Sequence, residues 1–328
     1  MKILIRLPNW LGDVVMSTAF IYAVRQVYPD AIIDVIIKKE LGGIASLIPG
    51  INNIHLFSKQ DHKGLGGVYR FGKSLRAHQY AIFFNLPHSL SSFIMAWASG
   101  AKQRIGFNKE GGRFLLTRSF TKPANLHRVD EYVYLLEKFS GKIIANKQVS
   151  LAAEKPICAN HTVIINFNSE APSRRMPLDK GRNIINTLTN KFKHVNFLFI
   201  GSPKEARFID ELLVGLNHAG RLQNRAGKTN LQDLTSLMAG SKAVLTTDSG
   251  PAHLANALGI PTVVLFGAGN ENNTAPYNKN GLQIIRYGQL TCEPCVRNTC
   301  KLYGIPKCMQ MLDENKIIKA LSLHLKDA

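Results

Sequence analysis

Acidic residues are scarce in this chain: 22 Asp and Glu stand against 41 Lys and Arg, a net charge of +19 over 328 residues. The imbalance runs through both halves, with 21 cations against 10 acids up to residue 160 and 20 against 12 beyond it. Such a charge draws anionic partners over long range. Long apolar runs are missing as well. None reaches the ~20 residues that a membrane-spanning helix needs. The longest candidate, residues 14–24, is about half that length and lacks the basic start and small-residue cleavage site of a signal peptide. These absences exclude a helical membrane span and set the expectation of a cytoplasmic protein. No Lys/Arg run with interleaved aromatics occurs, and aromatics make up only 8% of the chain, which removes nucleic acid as the expected partner. No solenoid-length repeat recurs. The charge is left to anionic lipid, a phosphorylated sugar or a merely solvated basic surface.

What is present is a pair of strand-to-helix junctions. Residues 242–247 read as a buried strand, Asp248-Ser249-Gly250-Pro251-Ala252-His253 follows, and 254–258 read as a helix. A strand that stops at Asp-Ser-Gly and opens into a helix brings free backbone N–H groups, a hydroxyl and an imidazole to one point, where the helix dipole favours an anion. Gly250 permits close approach to the backbone. Asp-Ser before a helix is equally ordinary capping chemistry that needs no ligand, and on the local pattern both readings stand. The second junction lies near the N-terminus: residues 2–7 form a strand, Pro8-Asn9-Trp10-Leu11-Gly12 a loop, and 13–24 a helix.

Between these junctions apolar runs alternate with helical segments. Strands are predicted at 2–7, 31–37, 53–57 and 80–86, with helices near 13–27, 41–48, 70–78, 90–98 and 127–139. From 103 to 120 the pattern loosens, and Gly106, Gly111 and Gly112 among Lys102, Arg104, Lys109, Arg113 and Arg118 suggest a basic loop. Residues 141–160, with Pro156, read as a linker. The second half gives strands at 162–168, 195–201, 242–247 and 261–266, and helices near 179–192, 203–215, 230–239, 250–258 and 313–325. Alternation of this kind predicts parallel sheets covered by helices, in two domains spanning 1–150 and 151–328.

Four motifs fall in the order of a known family: Leu7-Pro-Asn-Trp-Leu-Gly-Asp-Val-Val-Met-Ser17, Ser173-Arg-Arg-Met-Pro177, Gly201-Ser202 with Glu205, and Thr247-Asp-Ser-Gly-Pro-Ala-His253. Through them nearly the whole chain resembles glycosyltransferase family 9, the inverting transferases that include the ADP-heptose:lipopolysaccharide heptosyltransferases, and within it the heptosyltransferase II type. The resemblance implies an α/β GT-B fold, two Rossmann-like domains facing each other across a cleft. The first would bind the acceptor, a lipid-linked phosphorylated lipid A-core, and the second the donor, ADP-heptose. It further implies metal-independent transfer without a cofactor, by a cytoplasmic protein held peripherally at the anionic inner-membrane surface. The sequence has no Asp-x-Asp pair to carry a divalent ion on a diphosphate. A nucleotide-sugar epimerase of the same fold, or a transferase with another donor or acceptor, is the alternative.

Residue by residue, the resemblance puts the catalytic base on Asp13. A carboxylate there would take the proton of the acceptor hydroxyl as that oxygen attacks the anomeric carbon. An Asp at a helix start is also a routine cap, and the dipole that keeps it ionised weakens it as a base unless burial offsets the effect. Asn9, Trp10 and Gly12 of the same loop, with Lys102, Arg104 and Arg113, are the acceptor-binding candidates. Arg174 and Arg175 would stabilise the departing diphosphate. They occupy the family's Lys-Arg-Trp-Pro motif, with Arg174 for Lys and Met176 for Trp, and a solvated basic loop is the competing reading. Donor binding is expected from Ser169, Gly201, Ser202, Glu205, Met238, Asp248, Ser249, Gly250 and His253. Glu205 would approach the ribose or simply favour its helix start, and Met238 reads equally as core. Cys292-x2-Cys295-x4-Cys300-x7-Cys308 holds four of the five cysteines. Its spacing is that of no standard finger, and zinc, free thiols and a disulfide all stay open.

Overall fold

The computed structural model describes residues 1–108, 112–152, 161–216 and 220–325. Lys109 and Gly111 of the expected basic loop, and Pro156 of the expected linker, lie outside the described residues. The chain divides into two compact units, Met1–Ala152 and Ala153–Ala328.

The first unit is built on a parallel sheet of six strands, β1 (Lys2–Arg6), β2 (Ile32–Lys38), β3 (Asn53–Phe57), β4 (Ile82–Asn85), β5 (Gln103–Phe107) and β6 (Arg118–Phe120), in the order β3-β2-β1-β4-β5-β6. Central strands of such a sheet are covered on both faces and read as unbroken apolar runs; β1 is buried from Ile3 onward. On one face Phe84 meets Phe20 and Phe139 edge-on, at 5.1 and 5.5 Å, bringing the helices Thr18–Val27 and Arg128–Ser140 onto the sheet. On the other, Leu4 and Phe83 pack with Val68, Phe71 and Met95 of the helices Gly64–Ser74 and Leu90–Ala98.

The second unit repeats the plan with β7 (Thr162–Asn166), β8 (Asn196–Phe199), β9 (Leu222–Asn224), β10 (Ala243–Thr247), β11 (Thr262–Phe266) and β12 (Leu282–Arg286), in the order β12-β11-β10-β7-β8-β9. Val163, Ile165, Phe197 and Phe199 bury against the helices Leu178–Lys191 and Glu314–Ser322, while Val264 and Phe266 take Ala252 on the opposite face. In each unit the first and fourth strands lie side by side and the chain leaves them in opposite directions. Ligands bind at this switch point, beyond the carboxyl ends of the strands. It lies at β1/β4 in one unit and at β7/β10 in the other.

The segment 103–120, expected as a basic loop, instead holds β5 and β6, and Gly106 is a strand residue. These outer strands are short and carry Arg104 and Arg118, so they lack the apolar signature of the centre while protecting the sheet edge. β9 and β12 also close edges and have no counterpart in the sequence reading. The helix expected over 13–27 is two, Leu11–Met16 and Thr18–Val27. At the break Ser17 and Thr18 turn their hydroxyls back onto the carbonyls of Val14 and Val15, at 2.7 and 2.8 Å, a bond pattern that bends helices.

Candidate functional site

At the end of β1 the buried Arg6 shapes the loop that follows. Its guanidinium donates to the carbonyls of Leu7 and Ile36 and, at 2.7 Å, to Asn9 Oδ1. Burial lowers its pKa to about 10. Asn9 is thereby held from behind and Trp10 stays largely exposed. Trp10 is also the N-cap of the helix Leu11–Met16, which has no side-chain cap bond, and Asp13 sits within the first turn. Asp13 therefore does not cap this helix. Its carboxylate instead lies 3.5 Å from Arg128 Nε.

Arg128 belongs to a charged cluster. It donates to both oxygens of Glu131, at 3.1 and 3.2 Å, one turn along its own helix. Lys122 approaches the same buried carboxylate at 3.0 Å and His88 at 3.8 Å. Burial alone would raise the Glu131 pKa, but His88, Arg128 and Lys122 together hold it below the ordinary carboxylate value. For Asp13 the balance is reversed. Burial pushes its carboxyl above the usual range, with Arg128 opposing and Glu131 reinforcing the rise. Two carboxylates near one arginine are thus driven apart, one firmly ionised and one closer to proton exchange, the environment expected of an acid–base pair. Tyr132, fully buried beside them, is raised far above its normal value by desolvation and then by Asp13.

In the second unit β10 ends at Asp248, which is buried and lies 3.2 Å from Arg174 Nη1. Burial raises its pKa against the pull of Arg174 and Arg286. Gly269 makes room for it: a Cβ there would stand 2.0 Å from Asp248 Oδ2. Arg286 braces the neighbouring loop through Glu271 and the carbonyls of Gly267 and Gly269. Ser249 is the N-cap of the helix Gly250–Ala257 but makes no side-chain cap bond. Its hydroxyl donates to the Thr247 carbonyl at 3.0 Å and accepts from Asn166 at 2.9 Å. An anion at this helix start would therefore meet backbone N–H groups rather than the serine hydroxyl. His253 is buried one turn further on.

The two neighbouring arginines have different surroundings. Arg174 faces Asp248, whereas Arg175 donates to the Ser169 carbonyl at 3.1 Å and lies over the Phe208 ring at 5.3 Å. Their loop is tied down by Ser173, whose N–H and hydroxyl donate to the carbonyls of Asn298 and Arg297. Val296 N–H in turn reaches the Ala268 carbonyl. The cysteine-bearing segment is thus a brace under the Arg174 loop. No three of the Cys292, Cys295, Cys300 and Cys308 sulfurs approach within 4.8 Å of one another, and all four are free thiols. Burial pushes the Cys308 thiol up to about 11. The zinc reading of their spacing finds no cage in this geometry.

Other expected donor residues lie at the β8 end. Gly201 has no room for a Cβ, which would meet Asn168 Nδ2 at 2.7 Å, and Ser202 and Glu205 form a capping box, Glu205 accepting from Ser202 N–H at 2.7 Å. Met238 is fully buried, a core position. Among the acceptor candidates, Arg104 is occupied with the carbonyls of Leu115 and Ala101, while Lys102 and Arg113 are exposed. Buried polar atoms without a protein partner occur at the two strand-end sites: Asn85 Oδ1 and His88 Nδ1 in one unit, Asn168 Oδ1 and Arg174 Nε in the other. Such atoms mark where a ligand can complete the bonding.

Among the described residues, one group has the composition of a metal site: Asp34, His55 and His78, with ligand atoms within 4.8 Å of one another. It is already closed by Tyr80, whose hydroxyl lies 2.6 Å from Asp34 and 2.8 Å from His55. The sequence reading missed Arg128, Glu131, Lys122 and His88. Only the Arg–Glu pair at i and i+3 on a helix start carried a local signal.

A family model for glycosyltransferase family 9 (heptosyltransferase) matches residues 68–305. The lipopolysaccharide heptosyltransferase 2 of Salmonella typhimurium is 30% identical over 310 residues, covering 87% of this chain and 88% of its own. Among solved structures, the ADP-heptose lps heptosyltransferase II of E. coli superposes with a TM-score of 0.82 at 24% identity, over 99% of both chains. The E. coli heptosyltransferase WaaC with ADP does so with a TM-score of 0.79 at 16% identity, over 99% of this chain and 100% of its own. The two-sheet α/β architecture is the GT-B fold of these heptosyltransferases.

Proposed function

The chain belongs to glycosyltransferase family 9, the heptosyltransferases, and from that premise we propose how its residues perform the transfer. The enzyme moves heptose to the inner core of lipopolysaccharide, in keeping with its likeness to relatives named lipopolysaccharide heptosyltransferase 2. In our reading the donor is ADP-heptose, and the second unit holds its diphosphate near Arg174 and the N-terminus of the helix Gly250–Ala257. The first unit takes the lipid-linked, phosphorylated acceptor near Asn9, Trp10 and Asp13.

The acceptor hydroxyl gives its proton to Asp13 as its oxygen forms the new bond to the anomeric carbon. The bond from that carbon to the diphosphate oxygen breaks on the opposite face, so configuration inverts and ADP leaves with the electron pair. Developing charge on the diphosphate is stabilised by the Arg174 guanidinium and the helix-start N–H groups, which need no movement at the moment of reaction. The positive charge is supplied by the chain itself, which suits a metal-independent transfer. The observation that carries this reading is the environment of Asp13. A first-turn Asp without capping duty has its pKa raised by burial and lies beside an arginine committed chiefly to a second, firmly ionised carboxylate.

A lipid-linked acceptor brings the enzyme to the anionic cytoplasmic face of the inner membrane, and the +19 charge suits that surface. No helix among the described residues is long and apolar enough to cross a membrane. Turnover of ADP-heptose with a deacylated core acceptor, with and without chelator, tests the reading, with the product's anomeric configuration determined by NMR. Inverted product formed equally in chelator is expected. Retained configuration would remove Asp13 as base in a single displacement, and loss of turnover in chelator would remove metal independence.

A further inference from the structure

The first unit carries an apolar face that its own core does not use. The helices Gly64–Ser74 and Leu90–Ala98 pack closely because Gly72 has no side chain; a Cβ there would stand 2.7 Å from that of Ala98. Val68 and Phe71 point into the core. Leu65 and Tyr69, one turn apart, fall on the outward side with Lys73. On the second helix Leu90 and Trp97 share a side at i and i+7, and the Tyr69 and Trp97 rings meet at 5.7 Å. Leu65 is 54% exposed, and Leu90 and Trp97 are each 47% exposed. The turn Gly112–Leu115, which packs on the second helix, adds Phe114 at 83% exposure.

Charge segregates onto the same part of the chain. From His62 to Val129 there are eleven Lys and Arg and a single acid, Glu110. The first unit's remaining acids lie outside this stretch. Lys63, Arg70 and Lys73 are exposed on or beside the first helix. Exposed tryptophan, leucine and phenylalanine with a half-buried tyrosine, in a stretch of eleven cations and one acid, is the chemistry of a surface resting in the headgroup layer of an anionic bilayer. Protein partners of a basic apolar face would be acidic, but the aromatic ring pair and projecting Phe114 favour insertion at a lipid boundary.

We propose that the face formed by the helices Gly64–Ser74 and Leu90–Ala98 and the turn at Phe114 docks the enzyme on anionic phospholipid, with Leu65, Tyr69, Trp97 and Phe114 entering the interface and Lys63, Arg70 and Lys73 meeting headgroup phosphates. The proposal rests on the reading of a lipid-linked acceptor, because docking by this unit would keep the acceptor-binding residues beside the membrane.

The test is co-sedimentation of the full chain with phosphatidylcholine vesicles containing a minority of phosphatidylglycerol, against pure phosphatidylcholine. The parental chain should bind the anionic vesicles and release them as salt rises. Leu65→Ser with Trp97→Ser, and separately Arg70→Glu with Lys73→Glu, should each weaken binding by about tenfold or more, the charge pair with unchanged melting temperature because Arg70 and Lys73 are exposed, the apolar pair with a cooperative folding transition retained. Turnover on a deacylated, soluble acceptor should be retained in both variants and reports on the transferase reading separately. Parental vesicle binding in both variants would overturn this face as the docking surface while leaving that reading intact. So would a chain that binds no anionic vesicle, or apolar substitutions that only convert a dimer to a monomer.

Discussion

Two carboxylates that follow central strands of two similar sheets have different environments. Asp13 follows β1 and Asp248 follows β10. Each lies beside an arginine, at 3.5 and 3.2 Å, and each is raised above the ordinary carboxylate pKa by burial. The difference is access. The Asp13 side chain keeps about a quarter of its surface open, at 24%, and Arg128 is directed mainly at Glu131. Asp248 keeps 4%, is roofed by Gly269 and faces Arg174 directly. Beside the central strands of the same topology, one carboxylate thus stays reachable, as the proposed base must, and the other is closed in against an arginine.

The largest expected effect is on the open side. Asp13→Asn keeps shape but cannot accept a proton, and turnover should fall by roughly two to four powers of ten with donor affinity unchanged. Its stability provides a sign check. A carboxylate whose folded pKa is raised loses stability as pH rises from the unfolded value through the folded one, so at neutral pH the ionised Asp13 is a liability. The melting temperature of Asp13→Asn should thus match or exceed the parent's; a clear drop would make the residue structural.

On the closed side, Arg174→Ala should weaken donor binding and lower stability by about 2–3 kcal/mol at neutral pH, since a buried carboxylate loses its partner. With Arg174 gone the Asp248 pKa rises further, so the stability loss should shrink as pH falls and Asp248 takes up its proton. Denaturation at neutral and acidic pH checks the sign, and a pH-independent loss would count against the pair. Gly269→Ala sharpens the contrast, because the new Cβ would collide with Asp248 Oδ2; a loss of about 1–3 kcal/mol is expected from overpacking, with no counterpart near Asp13. The smallest effect is at the β8 end. Glu205→Ala removes one arm of a capping box, worth about 0.5–1 kcal/mol. A much larger loss of ADP affinity than of stability would show that Glu205 also contacts the donor.

The centre of each sheet was legible because β1, β7, β10 and β11 are apolar runs buried on both faces, and the two strand-to-helix junctions lie at the topological switch points. β5 and the edge strands β6, β9 and β12 were not, since they are short or carry polar residues and lose the apolar pattern. Asp13 was singled out by its motif, but its neighbours were not. Arg128, Glu131, Lys122 and His88 come from the loop after β4, the segment after β6 and the helix Arg128–Ser140, and meet only through tertiary packing. Arg174 and Arg175 looked alike in sequence, and only the Phe208 ring and the Ser169 carbonyl separate their duties. The cysteine spacing left zinc, free thiols and a disulfide open, and gave no sign that carbonyls between those cysteines fasten Ser173.

The pH dependence of kcat/KM in the parent and in Asp13→Asn tests the account most directly. The parent should show an acid limb, activity rising with pH as a carboxylate with a pKa above the ordinary range gives up its proton, and that limb should be absent from the residual activity of Asp13→Asn. An acid limb that persists unchanged in Asp13→Asn would assign the base to another residue and contradict the account.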